Sequence, residues 1–323
     1  MDDPVISLVV PMFNEAEMVA PLIEAVKATM AAVSLSYELI CIDDGSTDGT
    51  GAQLSARTDI VPVLLSRNFG KEPAMVAGLT LARGRAVILM DADLQHPPAL
   101  IPELIAKWQE GFDVVNALKS DRGRESLPYR LAAGSFYRIL SRAMGQDLRN
   151  QSDFKLLDRQ VVDALLVCEE RNRFLRGLVA WLGFRVANVP FVVSQRAGGQ
   201  TSWSLSGLAR YSTRSIIAFS SAPLIVIAWL GFVTTGLGIL LSTQTLWNYV
   251  RGVAVDGFTT TILVVLIMGG TILVCLGVIA VYLAAIYDEL KRRPVFVVRT
   301  PQTSSSSPLA REISRPAVSP AGQ

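Results

Sequence analysis

One histidine, His96, and three cysteines, Cys41, Cys168 and Cys275, are all that a chain of 323 residues contains of these types. So little imidazole all but rules out a histidine-based metal site or a Ser-His-Asp triad. The cysteines are far apart and lack metal-ligand spacing. Cys41 lies in a strand-like run and Cys275 in an apolar one, where a thiol behaves as a small hydrophobe. Charge is sparse too. Only 18% of residues are charged and the net charge is +2, which offers no electrostatic case for nucleic acid. The opening "MDDPVISLVV" is acidic and passes straight into a strand. It lacks the pattern of a secretory leader, so the N-terminal domain is expected to be cytoplasmic.

What fills the chain instead is hydrophobic: 50% of residues, with a mean hydropathy of +0.39. The excess is concentrated in two uncharged runs, 223–241 and 261–287. Each is long enough to cross a hydrocarbon core of ~30 Å at ~1.5 Å per residue. Lys291, Arg292 and Arg293 follow the second run, whereas the 242–260 connection carries only Arg251, offset by Asp256. Positive-inside bias therefore puts the tail, and the N-terminal domain with it, on the cytoplasmic side. Just before the first run, Leu205, Leu208, Ile216 and Phe219 share a helical face roughly opposite Arg210 and Arg214. That is the pattern of a helix lying in the headgroup plane, though a plain surface helix has it too. From Thr300 the Ser- and Pro-rich tail reads as disordered. The expected division is 1–203 catalytic domain, 204–220 interfacial helix and 221–243 first span. A loop (244–259), a second span (260–287), a basic segment with a possible strand (288–299) and the tail (300–323) follow.

The first 120 residues alternate short apolar runs, 5–10, 37–42, 61–66 and 85–90, with helical stretches beginning near Glu15, Asp48, Lys71 and Pro98. Continuous rather than alternating hydrophobicity suits strands covered on both faces, so the order predicts an α/β fold with a mostly parallel sheet. Ligands of such sheets bind beyond the carboxyl ends of the strands. Four polar motifs fall there: "PMFNE", "DDGSTDGT", "SRNFGKE" and "DADLQ". Asp91-Ala92-Asp93 is an acid-x-acid pair. The spacing alone decides nothing, since Glu15-Ala16-Glu17 repeats it at an ordinary helix start.

In series, "VISLVVPMFNE", "ELICIDDGSTDGT", "SRNFGKEPAMVAGL" and "DADLQHPP" resemble a family 2 glycosyltransferase of GT-A fold. With two C-terminal spans, the chain is most similar to the polyprenyl-phosphate glycosyltransferases over roughly residues 5–298. The resemblance implies that Asp91 and Asp93, assisted by Gln95, hold Mg²⁺ or Mn²⁺ on the diphosphate of a nucleotide sugar. Two carboxylates plus substrate oxygens and waters suit such a hard cation. His96 is read as beginning the next helix rather than binding metal. Pro11, Phe13, Glu15, Ile42, Asp44, Asp91, Ala92 and Arg196 would line the nucleotide-sugar site, with Arg67 and Lys71 either reaching the diphosphate or solvated. Asn14 as a helix cap, and "DDGSTDGT" as a turn and cap, are compatible readings.

On the acceptor side the resemblance points to Lys119, Arg122 and Arg130 as phosphate binders, unless "KSDRGRESLPYR" is a solvated loop. "NQSDFKLLDR" matches an acceptor-side motif. It makes Asp153 the catalytic candidate beside Asp93, for positioning the attacking group or as a base, with helix capping the competing role. Ser202 stands where many relatives carry a lysine, and the Gly-Arg that many place before Ile-Tyr at the second span's end is missing. The expected activity is inverting transfer of one sugar, UDP-glucose being the favoured donor, to a polyprenyl (undecaprenyl) phosphate at the cytoplasmic face of the inner membrane. GDP-mannose or a UDP-amino-sugar remains an alternative donor. A processive polysaccharide synthase fits less well, since Gln195-Arg196-Ala197-Gly198 is not Gln-x-x-Arg-Trp. A silent nucleotide-binding scaffold leaves Asp91, Asp93 and Asp153 without a purpose. A homo-oligomer, a tetramer by resemblance, is expected, with "PVFVV" (294–298) as a strand donated between subunits.

Overall fold

The computed structural model describes residues 3–119, 151–168, 170, 174–191, 222–252 and 257–299. They fall into two units: one holds the sheet and the segment from Arg293, the other the two long helices.

In the first unit β1 (Ile6–Met12), α1 (Val19–Ala31), β2 (Tyr37–Asp43), α2 (Thr50–Ser55) and β3 (Val61–Leu64) are followed by α3 (Lys71–Leu81), β4 (Ala86–Leu89) and α4 (Ile101–Gln109). Then come β5 (Val114–Lys119), β6 (Gln151–Asp158), α5 (Arg159–Val167), α6 (Leu175–Trp181) and β7 (Val186–Phe191). Short 3₁₀ turns, Ala16–Met18 and Pro98–Leu100, lead into α1 and α4.

The strands form one sheet of order β3-β2-β1-β4-β6-β5-β7. All neighbours run parallel except β6, which is antiparallel to both β4 and β5. Of the apolar runs read as doubly covered strands, β1 and β4 are buried at every residue and β2 at its last five, whereas β3 is buried only at Val63. Ile6, Leu8, Val10 and Met12 of β1 join Leu39, Cys41, Ile88 and Phe154 in a core capped by Leu22, Ile23 and Val26 of α1 and by Ile101 and Leu104 of α4. The opposite face packs on α3. There Gly78 lies so close to Val9 and Ile42 that a Cβ would meet both side chains.

Register decides what meets at the sheet's ligand edge. Met12 of β1 pairs with Asp43 of β2, and Asp43 with Leu64 of β3, so three parallel strands end level. On the other side Ala86 pairs with Asp158 and Leu89 with Lys155. Continued two residues, that antiparallel register sets Asp91, just past β4, opposite Asp153 of β6.

β3 is an edge strand with unpaired backbone groups, which favour pairing with any available extended segment. Its own chain supplies one. Ser66 N donates to Val297 O at 2.8 Å and Arg299 N to Leu64 O at 2.7 Å, around an antiparallel Leu65–Val298 bridge. The 294–298 segment, expected as a strand exchanged between subunits, thus pairs within its own chain here.

The second unit holds α7 (Ala222–Val250) and α8 (Phe258–Leu290). Within them Pro223–Asn248 and Val264–Leu290 are apolar and long enough to span a bilayer, with no share of those windows buried. Exposed faces rich in Leu, Ile, Val and Phe are consistent with a membrane anchor. The helices run past the expected span ends at 243 and 287. Thr243 and Thr245 do not break α7, because their hydroxyls donate back to the carbonyls of Ile239 and Leu241. The interfacial helix expected at 204–220 and the tail from Thr300 lie outside the described residues.

Gly78→Val should cost about 1–3 kcal/mol by overpacking the α3–sheet contact. A lowered unfolding midpoint in denaturant checks it.

Candidate active site

The exits of β1 and β2 are laced together by side chains whose role the motif order does not reveal. Asn14 has a left-handed φ of 53°. Its Oδ1 accepts the Thr47 N–H at 2.9 Å, and its own N–H donates to Ser46 Oγ. It therefore bridges two loops rather than capping a helix. Asp48 accepts the N–H groups of Ala16 and Thr50, each at 3.0 Å, tying the start of α1 to that of α2. Burial pushes its carboxyl up, but the hydrogen bonds from Thr50 and Ala16 outweigh that and hold it low.

Asp44, 3% exposed, accepts the N–H of Phe69 at 2.7 Å and that of Gly70 at 2.8 Å, one on each oxygen. Its pKa is raised by burial, against the pull of those two N–H groups. It holds the 66–70 loop at the N-terminus of α3. Gly45 makes this approach possible: φ is +70° and a Cβ would meet the Arg67 backbone. Pro11 and Ile42 are buried in their strands, Ala92 is 4% exposed, and Phe13 is 45% exposed at the rim. The Glu15 N–H donates to Thr50 Oγ1. Arg67 lies over the Phe69 ring, its guanidinium carbon 4.3 Å from the centroid.

The acidic pair beyond β4 is partly open to solvent. Asp93 Oδ1 accepts the Gln95 N–H at 3.1 Å, and Leu94 between them adopts φ 54°. Asp91 faces Lys71, with Nζ 2.5 Å from Oδ1. The same Nζ lies 2.6 Å from Asp153 Oδ2. One ammonium therefore bridges the two carboxylates that the antiparallel register sets opposite each other. Burial works against its charge, but Asp153 and Asp91 outweigh it and raise the Lys71 pKa. His96 does not begin a helix. It is 3% exposed and packs on Phe154 and Phe191, ring centroids 5.6 and 5.4 Å away, with Nδ1 3.6 Å from Asp91 Oδ2.

Asp153 lies inside β6, so it caps no helix; that task falls to Asp158, which accepts the Gln160 N–H at 3.0 Å. Arg176 Nε meets Asp153 Oδ1 at 2.5 Å. Burial would raise the Asp153 carboxyl, but Arg176 and then Lys71 hold it well below the usual range. Beside them the Glu72 carboxyl is pushed up to about 7 by burial and by the Asp153 charge. Lys155, 2% exposed on the same face of β6, is pushed down to about 8 by burial. Glu72 and Lys155 stand inside "SRNFGKE" and "NQSDFKLLDR" without a role read for them there, and Arg176 lies outside every motif. Arg176 sits in the apolar run "FLRGLVAWL", and the only local signal for Lys155 is a charge between Phe154 and Leu156.

The structure thus gathers Asp91 and Asp153 around Lys71, places Asp93 and Gln95 in the adjoining turn, and sets Asp44 behind the 66–70 loop. Lys119 ends β5, while Arg122, Arg130, Arg196 and Ser202 lie outside the described residues. Among the described residues no group of three or more His, Cys, Asp or Glu side chains is poised around a cation. The donors beyond β4 are nonetheless all oxygen. Two part-exposed carboxylates and an amide suit a Mg²⁺ or Mn²⁺ completed by phosphate and water rather than by a full protein cage.

A family model described as "Glycosyl transferase family 2" matches residues 7–166. An uncharacterized glycosyltransferase of Synechocystis sp. is 40% identical over 299 residues, covering 91% of this chain and 94% of its own. A prophage bactoprenol glucosyl transferase homolog of Escherichia coli (strain K12) is 34% identical over 91% of this chain and 98% of its own. The bactoprenol glucosyl transferase of Shigella phage SfII is 35% identical over 91% and 97%. Among solved structures, glucosyl-3-phosphoglycerate synthase from Mycobacterium tuberculosis with UDP superposes with a TM-score of 0.47 at 24% identity, over 67% of this chain and 79% of that one.

Lys155 yields a signed pH test. Its amine titrates near 10.5 when unfolded and near 8 when folded. Between those values the unfolded chain holds the extra proton, so stability rises with pH through that window; below it the full cost of burying the ammonium stands. Lys155→Met should therefore stabilise the protein at pH 7 by about 3 kcal/mol. The gain should fade toward pH 10.5 in thermal melts across that range.

Proposed function

Because the chain belongs to glycosyltransferase family 2, we propose that it moves a single sugar from a nucleotide sugar, UDP-glucose first, to a polyprenyl phosphate such as undecaprenyl phosphate. The observation that carries this reading is the extent of the likeness to the bactoprenol glucosyl transferases. It reaches across 91% of the chain, far beyond the residues 7–166 that the family model matches.

The chemistry follows from the acceptor. A phosphate monoester has its second pKa near ~6, so the attacking oxygen is already largely ionised at neutral pH. Asp153, held ionised between Arg176 and Lys71, is then suited to orienting the acceptor rather than to taking a proton from it. Direct attack on the anomeric carbon, opposite the departing diphosphate, inverts its configuration. Asp91, Asp93 and Gln95 would hold Mg²⁺ or Mn²⁺, which supplies charge stabilisation to the nucleoside diphosphate as it leaves.

Pro11, Phe13 and Glu15, with Ile42, Asp44, Ala92 and Arg196, are assigned to the nucleotide sugar. Lys119, Arg122 and Arg130 are assigned to the acceptor phosphate. The two spans would keep the domain at the cytoplasmic face of the inner membrane, beside its lipid substrate, in a homo-tetramer.

Purified protein in detergent, offered undecaprenyl phosphate and a panel of UDP- and GDP-sugars with Mg²⁺, should yield a hexosyl lipid identified by mass. UDP-glucose should be the best donor. Asp93→Asn and Asp153→Asn should each lower turnover by about 10²–10³-fold. Transfer that persists undiminished in excess chelator would refute the metal assignment, and no lipid product from any donor would refute the activity.

A further inference from the structure

The first turns of α3 and α6 are stitched to each other around a single carboxylate. Lys71, the first residue of α3, donates to Asp153 Oδ2 at 2.6 Å. Arg176, in the first turn of α6, donates to Asp153 Oδ1 at 2.5 Å. The residue after Lys71, Glu72, accepts the N–H of the residue before Arg176, Leu175, through Oε2 at 3.0 Å. Each oxygen of Asp153 is thus met by a cation from a different helix, and the two helices are joined by a hydrogen bond one residue away from each cation.

That arrangement does more than neutralise charge. A carboxylate bonded through one oxygen keeps a broad torsional freedom about its terminal bond. Bonded through both to groups rooted in separate helices, it has one plane. Lys71 has a second claim on it, because its ammonium is shared with Asp91. Arg176 meets the same carboxylate from the other helix, through Nε. A guanidinium is planar and always charged, and it fixes the direction of its partner as an ammonium does not.

We propose that Arg176 is a positioning residue for the transfer. It sets the plane of Asp153 toward the acceptor, and Glu72 holds the helix start from which Arg176 reaches. The proposal rests on the glycosyl-transfer reading above and deepens it.

Two measurements test it. In the lipid-transfer assay Arg176→Gln should lower kcat by about 10- to 100-fold, the scale of a small misplacement of a reacting group. The KM for the donor should stay within about threefold, and Arg176→Lys should recover part of the lost kcat. A purely structural residue would lower the melting temperature without this split, and a wild-type kcat in Arg176→Gln overturns the proposal. Should that variant not fold, Glu72→Ala decides, since it leaves Arg176 in place but removes the acceptor of the Leu175 N–H. A fall in kcat at constant donor KM supports the proposal and a wild-type kcat overturns it. Independently of activity, the melting temperatures of Asp153→Asn, Arg176→Gln and the double variant should be non-additive. Additive losses would overturn the clamp. A wild-type protein silent with every donor counts against the transfer reading alone, because the thermal cycle still reads the clamp.

Discussion

Two carboxylates brought face to face repel, and the site is organised around that fact. Asp91 leaves β4 and Asp153 enters on β6, and the antiparallel pairing of those strands sets them opposite each other. Left alone, such a pair would raise one of its own pKa values. Lys71 lies between them and Arg176 beyond, while burial is the first cause of the raised Glu72 and the lowered Lys155 beside them. The partly buried polar cluster between the sheet and helices α3 and α6 is therefore a single electrostatic unit. No member of it can be changed without moving the others.

The loops around this unit are held by backbone donors rather than by packing. Asp44 draws in the N–H groups of Phe69 and Gly70, Asp48 those of Ala16 and Thr50, and Asn14 that of Thr47. These residues belong to the motifs that carry the family likeness. Their scaffold role explains why the motifs are long: a pair of acids could hold a cation, but not the walls around it. The segment after α8 adds a further restraint, since its backbone closes the β3 edge next to the loop that Asp44 holds.

Much of the fold could be read from residue order. Apolar runs without alternation mark strands covered on both sides, and β1, β2, β3 and β4 begin within a residue or so of those runs. Two uncharged runs mark the long helices, which continue beyond those runs to Val250 and Leu290, Thr243 and Thr245 staying helical because their hydroxyls donate within α7. His96 departs from its reading. Beside two prolines it reads as part of a helix start, but its burial against Phe154 and Phe191 depends on β6 and β7, strands more than 50 residues further on.

What sequence alone determined is the chemistry available at each strand end: which carboxylates, amides and glycines stand there, and which stretches can lie in a membrane. Those are local properties, written in the period and polarity of neighbouring residues. What only the tertiary structure decided is which of these groups meet. The reversal of β6 turns Asp153 toward Asp91 and the α3–α6 stitch delivers Arg176 to it, while the pleat buries Lys155 beneath them. Strand direction and register are settled by contacts across the sheet, and no run of adjacent residues contains them.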